Sequence, residues 1–307
     1  MITHLRVGTR GSQLALAQTN QVIEELKHTV SGLKYDVIPI QTKGDKTPEI
    51  GKTIEGKDVF TKEIEEALIE GEVDIAIHSM KDLTVDLPED VTIAAVPKRA
   101  NPHDVLISHS KMRLMQLPAG SRIGTSSPRR RAQLLHARGD LKIVDIQGNI
   151  ETRLQKLSNG SYDAIILAAA GLDRLRLHSK RTEVLPTKLM LPAVGQGALA
   201  IQSRSSDKDV INVVAKIEHS HTRREIEAER AFSKKLGGNC RTPIAAYATA
   251  DSSRLTVEGM IATANGKMLV RGRITSDNPN STQAGEELAR SLLDKGAGTL
   301  LEEMECR

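Results

Sequence analysis

Tryptophan is missing from this 307-residue chain, and only two phenylalanines and three tyrosines provide aromatic surface. So few ring faces leave little for unpaired bases to stack on, which argues against single-stranded nucleic-acid binding. Long apolar runs are missing too. Nowhere do about 18 apolar residues follow one another, the length a bilayer-crossing helix needs. The opening Met-Ile-Thr-His-Leu-Arg has no apolar targeting core, so a cytoplasmic protein without a membrane partner is expected. Cysteine occurs twice, at Cys240 and Cys306. A lone disulfide does not suit a cytoplasmic chain, so each is read as a free thiol.

What is present is ordinary for a globular protein: 39% apolar and 27% charged residues, with a net charge of +4. The length suits two or three domains. With so small a net charge, the placement of the cations matters more than their number.

The chain alternates strands and helices. Leu5 to Thr9 reads as a strand, and Gly11-Ser12 turns it into a helix with Ala15, Thr19, Val22, Ile23 and Leu26 at helical spacing. Arg10 and Ser12 therefore stand at a helix N-terminus, whose free N–H groups attract anions. Leu33 to Thr42 predicts a second strand ending in Lys43-Gly44-Asp45. A Gly- and Lys-rich loop (51–58) follows, then a helix over Thr61 to Glu70 preceded by Phe60. Val73, Ile75 and Ile77 alternate in a buried strand that ends in His78-Ser79-Met80-Lys81-Asp82. Polar groups at the carboxyl end of a strand mark the usual ligand position in α/β proteins. Strands alternating with helices imply a parallel sheet.

A second such unit begins after the Pro- and charge-rich stretch Pro97 to Asp104. Arg122 to Thr125 ends a strand, and Ser127-Pro128 supplies an N-cap and first-turn proline. Arg129, Arg130 and Arg131 then fill the positive end of the helix, each against its dipole by about 0.3 to 1 kcal/mol. Three violations in a row point to a polyanionic ligand rather than to helix stability. Lys142 to Ile146 predicts a strand ending in Gln147-Gly148-Asn149, with Arg153 in the helix behind it. Tyr162 to Ala170 predicts another, followed by Gly171-Leu-Asp-Arg174. The halves echo each other: Val7-Gly8-Thr9 matches Ile123-Gly124-Thr125, and Val-Asp-Ile-Ala-Ile from 73 matches Tyr-Asp-Ala-Ile-Ile from 162. Two such domains facing a cleft would gather Arg10, Lys81, Asp82, Arg129, Arg130, Arg153 and Arg174 around an anionic ligand.

After Pro192 to Ala198 the pattern changes. A helix opens with the capping box Thr222-x-x-Glu225 and closes with Lys234, Lys235 and Gly237. Gly238 to Arg241 is then a loop, and strands over 244–250, 255–262 and 268–275 follow, the last two joined at Asn265-Gly266. A helix with Leu288, Leu292 and Leu293 completes a small α+β domain. The expected domains are 1–97 with 193–217, 98–192, and 219–307. Cys240, on a loop beside Arg241, suits a nucleophilic thiolate.

Five motifs together carry a family resemblance: His-Ser-Met-Lys81-Asp82, Gly-Thr-Ser-Ser-Pro-Arg129-Arg130-Arg131, Gly148-Asn149-x-x-Thr152-Arg153, Pro-Ala-Val-Gly-Gln196-Gly, and Gly-Gly-Asn-Cys240. In register from Arg10 to Pro243, they resemble the hydroxymethylbilane synthases, also called porphobilinogen deaminases. The resemblance implies two α/β domains like those of periplasmic binding proteins, with strands crossing between them, plus a third α+β domain carrying the cysteine. It implies a dipyrromethane cofactor on Cys240 through a thioether, four porphobilinogen units added in turn, and hydrolytic release of hydroxymethylbilane by a monomer in haem and tetrapyrrole biosynthesis. No metal or nucleotide is implied. Asp82 would be catalytic, accepting the pyrrole N–H and stabilising its developing positive charge. Lys81, Thr125, Ser126, Ser127, Arg129, Arg130, Gly148, Asp45 and Gln196 would hold the cofactor. Arg10, Ser12, Gln147, Arg153, Arg174 and Phe60 would hold the substrate. The chain departs from the family at Gln147, where Arg is usual, at Asn239 for Gly, at Pro128 for Leu, and in the loop Ile54 to Asp58. Of these only Gln147 bears directly on the chemistry, and a partial loss of activity is expected from it. Two rival readings are a non-catalytic binder of anionic metabolites and a nucleic-acid binder using Arg129 to Arg131.

Overall fold

A computed structural model describes residues 2–43, 61–238, 242–277 and 280–305. Asp45, Phe60, the loop 51–58, Asn239, Cys240, Arg241 and Cys306 lie outside the described residues. In chain order the strands are β1 (His4–Arg10), β2 (Lys34–Ile40), β3 (Ile75–Ser79), β4 (Val91–Ala95), β5 (Asp104–Ser108), β6 (Arg122–Gly124), β7 (Lys142–Val144), β8 (Ala164–Ala168), β9 (Glu183–Val184), β10 (Leu199–Arg204), β11 (Ile244–Ala250), β12 (Leu255–Ala262) and β13 (Leu269–Ser276). The helices that matter below are α1 (Gln13–Thr29), α2 (Lys62–Ile69), α3 (Pro128–Ala137), α4 (Ile150–Ser158), α5 (Ala169–Arg174), α6 (Lys208–Val214), α7 (Ser220–Lys235) and α8 (Ser281–Leu292).

The chain divides into two compact units, Met1–Ala100 with Ala198–Arg223, and Asn101–Gly197 with Arg224–Arg307. In the first unit a five-stranded sheet runs β2-β1-β3-β10-β4. Leu5, Val7, Ile75, Ile77 and Ile201 pack against Val22, Ile23 and Leu26 of α1 and Val210 and Val214 of α6. Burying that many aliphatic side chains, at about 1.5 to 3 kcal/mol each, is what holds α1 and α6 on the sheet.

In the second unit a five-stranded sheet runs β7-β6-β8-β5-β9, and a three-stranded antiparallel sheet runs β11-β12-β13. The two sheets are stitched together within the unit. Ala132 of α3 packs with Met260 and Ala262 of β12, and Arg271 of β13 donates to the carbonyls of Thr187 and Lys188 (both 2.9 Å). The three-stranded sheet is covered by α7 and α8 around Phe232, Leu288 and Leu292.

Neither five-stranded sheet is all parallel, as the strand-helix alternation had suggested. In each, four strands run the same way and the strand in fourth position is antiparallel to both of its neighbours, β10 between β3 and β4 and β5 between β8 and β9. The reason is topological. β10 returns from beyond residue 197 to enter the first sheet, and no local pattern announces the direction of such a return. The capping box also differs. α7 begins at Ser220, and the N–H of Thr222 donates to His219 Nδ1 (3.2 Å), so His219 caps the helix. Thr222 is buried inside it, its hydroxyl oxygen accepting from the N–H of Arg99 (3.1 Å).

Candidate functional site

Among the described residues, those singled out from sequence fall into two groups, one in each unit. In the first, β1 delivers Arg10 to the start of α1, whose N-cap Ser12 accepts from the N–H of Ala15 (3.3 Å). Beside it β3 ends at Ser79, and a single 3₁₀ turn over Met80–Asp82 follows. Met80 is buried and anchors that turn, which leaves Lys81 and Asp82 exposed. Gln18 of α1 donates to Ser79 Oγ (2.7 Å), tying the helix to the strand exit. Arg10, Ser12 and Asp82 thus line one cavity of about 50 Å³ together with Gln18, Thr61 and His78. His78 lies behind it, fully buried, its pKa lowered to about 4 by burial first and by Arg10 second, with Gln202 opposing. It is therefore neutral at pH 7.

In the second unit the same strand-to-helix turn follows β6. Ser127 caps α3, accepting from the N–H of Arg130 (3.4 Å), and Pro128 opens it. The hydroxyl of Ser126 donates to the carbonyl of Ile146 (2.9 Å) and accepts from its N–H (3.0 Å), which locks the exits of β6 and β7 together. Thr125 is buried beneath, its hydroxyl accepting from the N–H of Ser127 (3.2 Å).

Arg129 and Arg130 are buried, and one carboxylate serves both. Asp104, fully buried at the start of β5, receives Arg130 Nε (3.1 Å) and Nη2 (2.7 Å) on Oδ1, with Arg129 Nη1 2.8 Å from Oδ2. The two guanidiniums hold the Asp104 carboxyl well below the usual carboxylate range against the opposing effect of burial. Gln196 Nε2 adds a further bond to Asp104 Oδ1 (3.0 Å). Two cations and one anion leave a single positive charge in a dry place, where an unbalanced charge is costly and an anionic ligand is favoured. Arg131 differs, reaching Asp145 at the surface (3.1 Å).

Nearby, Gly148 adopts φ +109°, and a Cβ there would lie 2.7 Å from Thr152 Cγ2, so only glycine fits. Its carbonyl accepts from Arg153 Nε (2.7 Å). Burial, reinforced by Arg130, lowers the Arg153 pKa to about 10, and burial does the same for Arg174. Arg174 Nη2 donates to the carbonyl of Gly197 (3.0 Å). Both stay cationic at pH 7. Gln147 is exposed, and its carbonyl accepts from Lys156 Nζ (3.1 Å), so a cation stands beside the position where the family usually has one.

Sequence reasoning passed over Asp104, Gln133 and Glu229. Gln133 Nε2 donates to the carbonyl of Leu191 (3.1 Å) and its Oε1 accepts from the N–H of Leu191 (2.7 Å). Glu229, also buried, accepts from the N–H groups of Gly195 (2.7 Å) and Ala248 (2.9 Å), holding the segment that carries Gln196. A charged residue opening the apolar run Val-Leu-Ile at 105–107 was the available signal for Asp104, because an ionised group inside a sheet requires a partner.

Strand exits that deliver cations and helix N-termini to one end of each α/β sheet define a protein that handles an anionic small molecule. Residues 5–212 match the family described as porphobilinogen deaminase, dipyromethane cofactor binding domain, and residues 223–294 match the porphobilinogen deaminase C-terminal domain. The porphobilinogen deaminase of Syntrophus aciditrophicus is 45% identical over 302 residues, covering 98% of this chain and 99% of that protein. That of Brevibacillus brevis is 42% identical over 301 residues, covering 97% of each. The chain belongs to the porphobilinogen deaminase family. Among solved structures it is similar to the methionine-binding protein MetQ, with a TM-score of 0.45 and 14% identity over 70% of this chain and 89% of that one.

Proposed function

We propose that this chain is a hydroxymethylbilane synthase that condenses four porphobilinogen molecules head to tail with loss of ammonia, then frees the linear product by hydrolysis. Family membership over nearly the whole length is the observation that carries the activity. The dipyrromethane group, when bound on Cys240, supplies the pyrrole carbon at which the chain grows. Its acetate and propionate groups suit the second unit, where Arg129 and Arg130 share one carboxylate and keep a positive charge. Ser127 and Thr125 add a helix N-terminus there, and Ser126 positions the turn. Gln196 acts through Asp104, holding it against the two guanidiniums.

Arg10 and Ser12, and likewise Arg153 and Arg174, receive carboxylates of the incoming porphobilinogen. Asp82 accepts the pyrrole N–H and stabilises the positive charge that develops there as ammonia leaves. The neutral His78 adds no competing positive charge to that cavity. The protein works as a cytoplasmic monomer with no nucleic-acid partner. Burial of Arg129 and Arg130 removes two of the three cations that a phosphate-contacting surface would use.

Intact mass of the purified protein tests the proposal. The expected mass exceeds that of the bare chain by two pyrrole rings, and Cys240→Ser lacks both the added mass and turnover. A bare-chain mass with an alkylatable Cys240 would sink it, as would a Cys240→Ser variant that still makes product.

A further inference from the structure

A groove of about 820 Å³ lies in the second unit between the end of β5, the last turns of α4 and residues 179–182. Its volume falls in the range of metabolite sites, about 300 to 1,000 Å³. It is separate from the Arg129–Arg130 site. Ser108, on the groove, pairs with Ala164 at the start of β8, whereas Asp104 pairs with Ala168 at its end, so the strand separates them by roughly 14 Å.

The floor is apolar, made by Ile107 and Leu157, both buried. Around it stand Lys111, Lys180, Arg181 and His109, and no carboxylate lines the groove among the described residues. Two acids lie close by. Asp173 pairs with one terminal nitrogen of Arg181, and Asp163 is bound to Arg122 through its backbone and side chain and lies near His109. Glu183, next in sequence to Thr182, is turned away to the N–H of Leu114 (2.7 Å). The Nε of Arg181 is buried without an acceptor among the described residues, a polar group that protein interiors rarely leave unmet.

We infer that this groove binds a small polyanion, phosphorylated or polycarboxylate, at a site distinct from the one that handles porphobilinogen. Lys111 and Lys180 supply exposed point charges, the partly exposed Arg181 side chain adds a third cation on the lining, and the floor accepts an apolar skeleton.

The test is calorimetric titration of the cofactor-loaded protein with pyrophosphate and, separately, with citrate. Saturable binding of either is expected, and the stronger one identifies the phosphate or carboxylate class. The double variant Lys111→Gln, Lys180→Gln weakens it about tenfold or more. Turnover of porphobilinogen stays unchanged in that variant. A charge-matched control, Lys34→Gln with Lys208→Gln, retains binding. The inference is overturned if neither probe saturates, if the control weakens binding equally, or if Arg10→Gln abolishes it while the Lys111, Lys180 variant does not.

Discussion

The two five-stranded sheets are built on one plan and charged differently. In each, an Arg-x-Gly strand lies beside the start of its parallel neighbour. Arg6 and Asp74 in the first and Arg122 and Asp163 in the second make the same clasp, with each Asp N–H donating to the Arg carbonyl (both 2.9 Å) and each carboxylate accepting the Arg N–H (2.8 and 2.6 Å). The glycines at the third position serve the same end. A Cβ on Gly8 would lie 3.1 Å from Val73, and one on Gly124 2.9 Å from Ile165 and 3.0 Å from Tyr162. Beyond the clasp the plans diverge. Behind its strand exits the first sheet buries a neutral imidazole, and the second buries two guanidiniums over one carboxylate. Shared topology fixes where strand exits point, and the buried titratable groups decide what kind of ligand each exit receives.

Removing the buried charge partner breaks the comparison hardest. Asp104→Asn leaves two guanidiniums without an anion in a dry site, a change that typically destabilises by about 3 to 5 kcal/mol. Urea unfolding should show that loss, with cofactor occupancy falling as well. If stability stays within about 0.5 kcal/mol, the value usual for surface changes, the buried cluster is not what holds this end of the sheet.

Asp82→Asn is the counterpart in the first sheet. Its side chain is exposed, so the melting temperature should hold, while turnover falls by about 2.7 to 4 kcal/mol of barrier, roughly a hundredfold or more. Asp82→Glu should keep a little activity, because the charge survives but its placement does not. A rate for Asp82→Asn within a few fold of the parent would remove Asp82 from the chemistry.

Acid separates the two sheets further. His78 has a folded pKa below its ordinary value, so the unfolded chain takes up its proton first. Its contribution is complete above about 6.5 and falls by about 1.4 kcal/mol per pH unit as pH drops towards 4. Asp104 is also lowered, but from a carboxylate's starting point, so its contribution begins to fall only below about pH 4. His78→Gln should therefore flatten the stability profile between pH 6.5 and 4 and leave the more acidic limb in place. An unchanged slope between pH 6.5 and 4 would mean that His78 is hydrated.

The smallest effect is expected at Gln147. Gln147→Arg should raise turnover or cofactor occupancy, by at most the roughly 1 to 3 kcal/mol of one charged hydrogen bond, at unchanged melting temperature. Lys156 beside the Gln147 carbonyl places the gain at the lower end of that range. A variant identical to the parent in both measurements would show that Lys156 already fills the role.

Sequence alone determined what depends on short-range rules. The N-caps Ser12 and Ser127, the turn glycine Gly237 at φ +64° and the two strand exits all fall where spacing and capping chemistry put them. A hydrogen bond three residues away, or an apolar repeat of two or 3.6, is written within a few positions of the chain. Tertiary structure decided the rest. It inserted β10, from beyond residue 197, between β3 and β4, and it brought Asp104 across 26 residues to Arg130. It also gave His219 the cap that the Thr222–Glu225 spacing had claimed. The charge of a site depends on which ionisable groups folding desolvates together, and desolvation is a property of the packed chain that no local window contains.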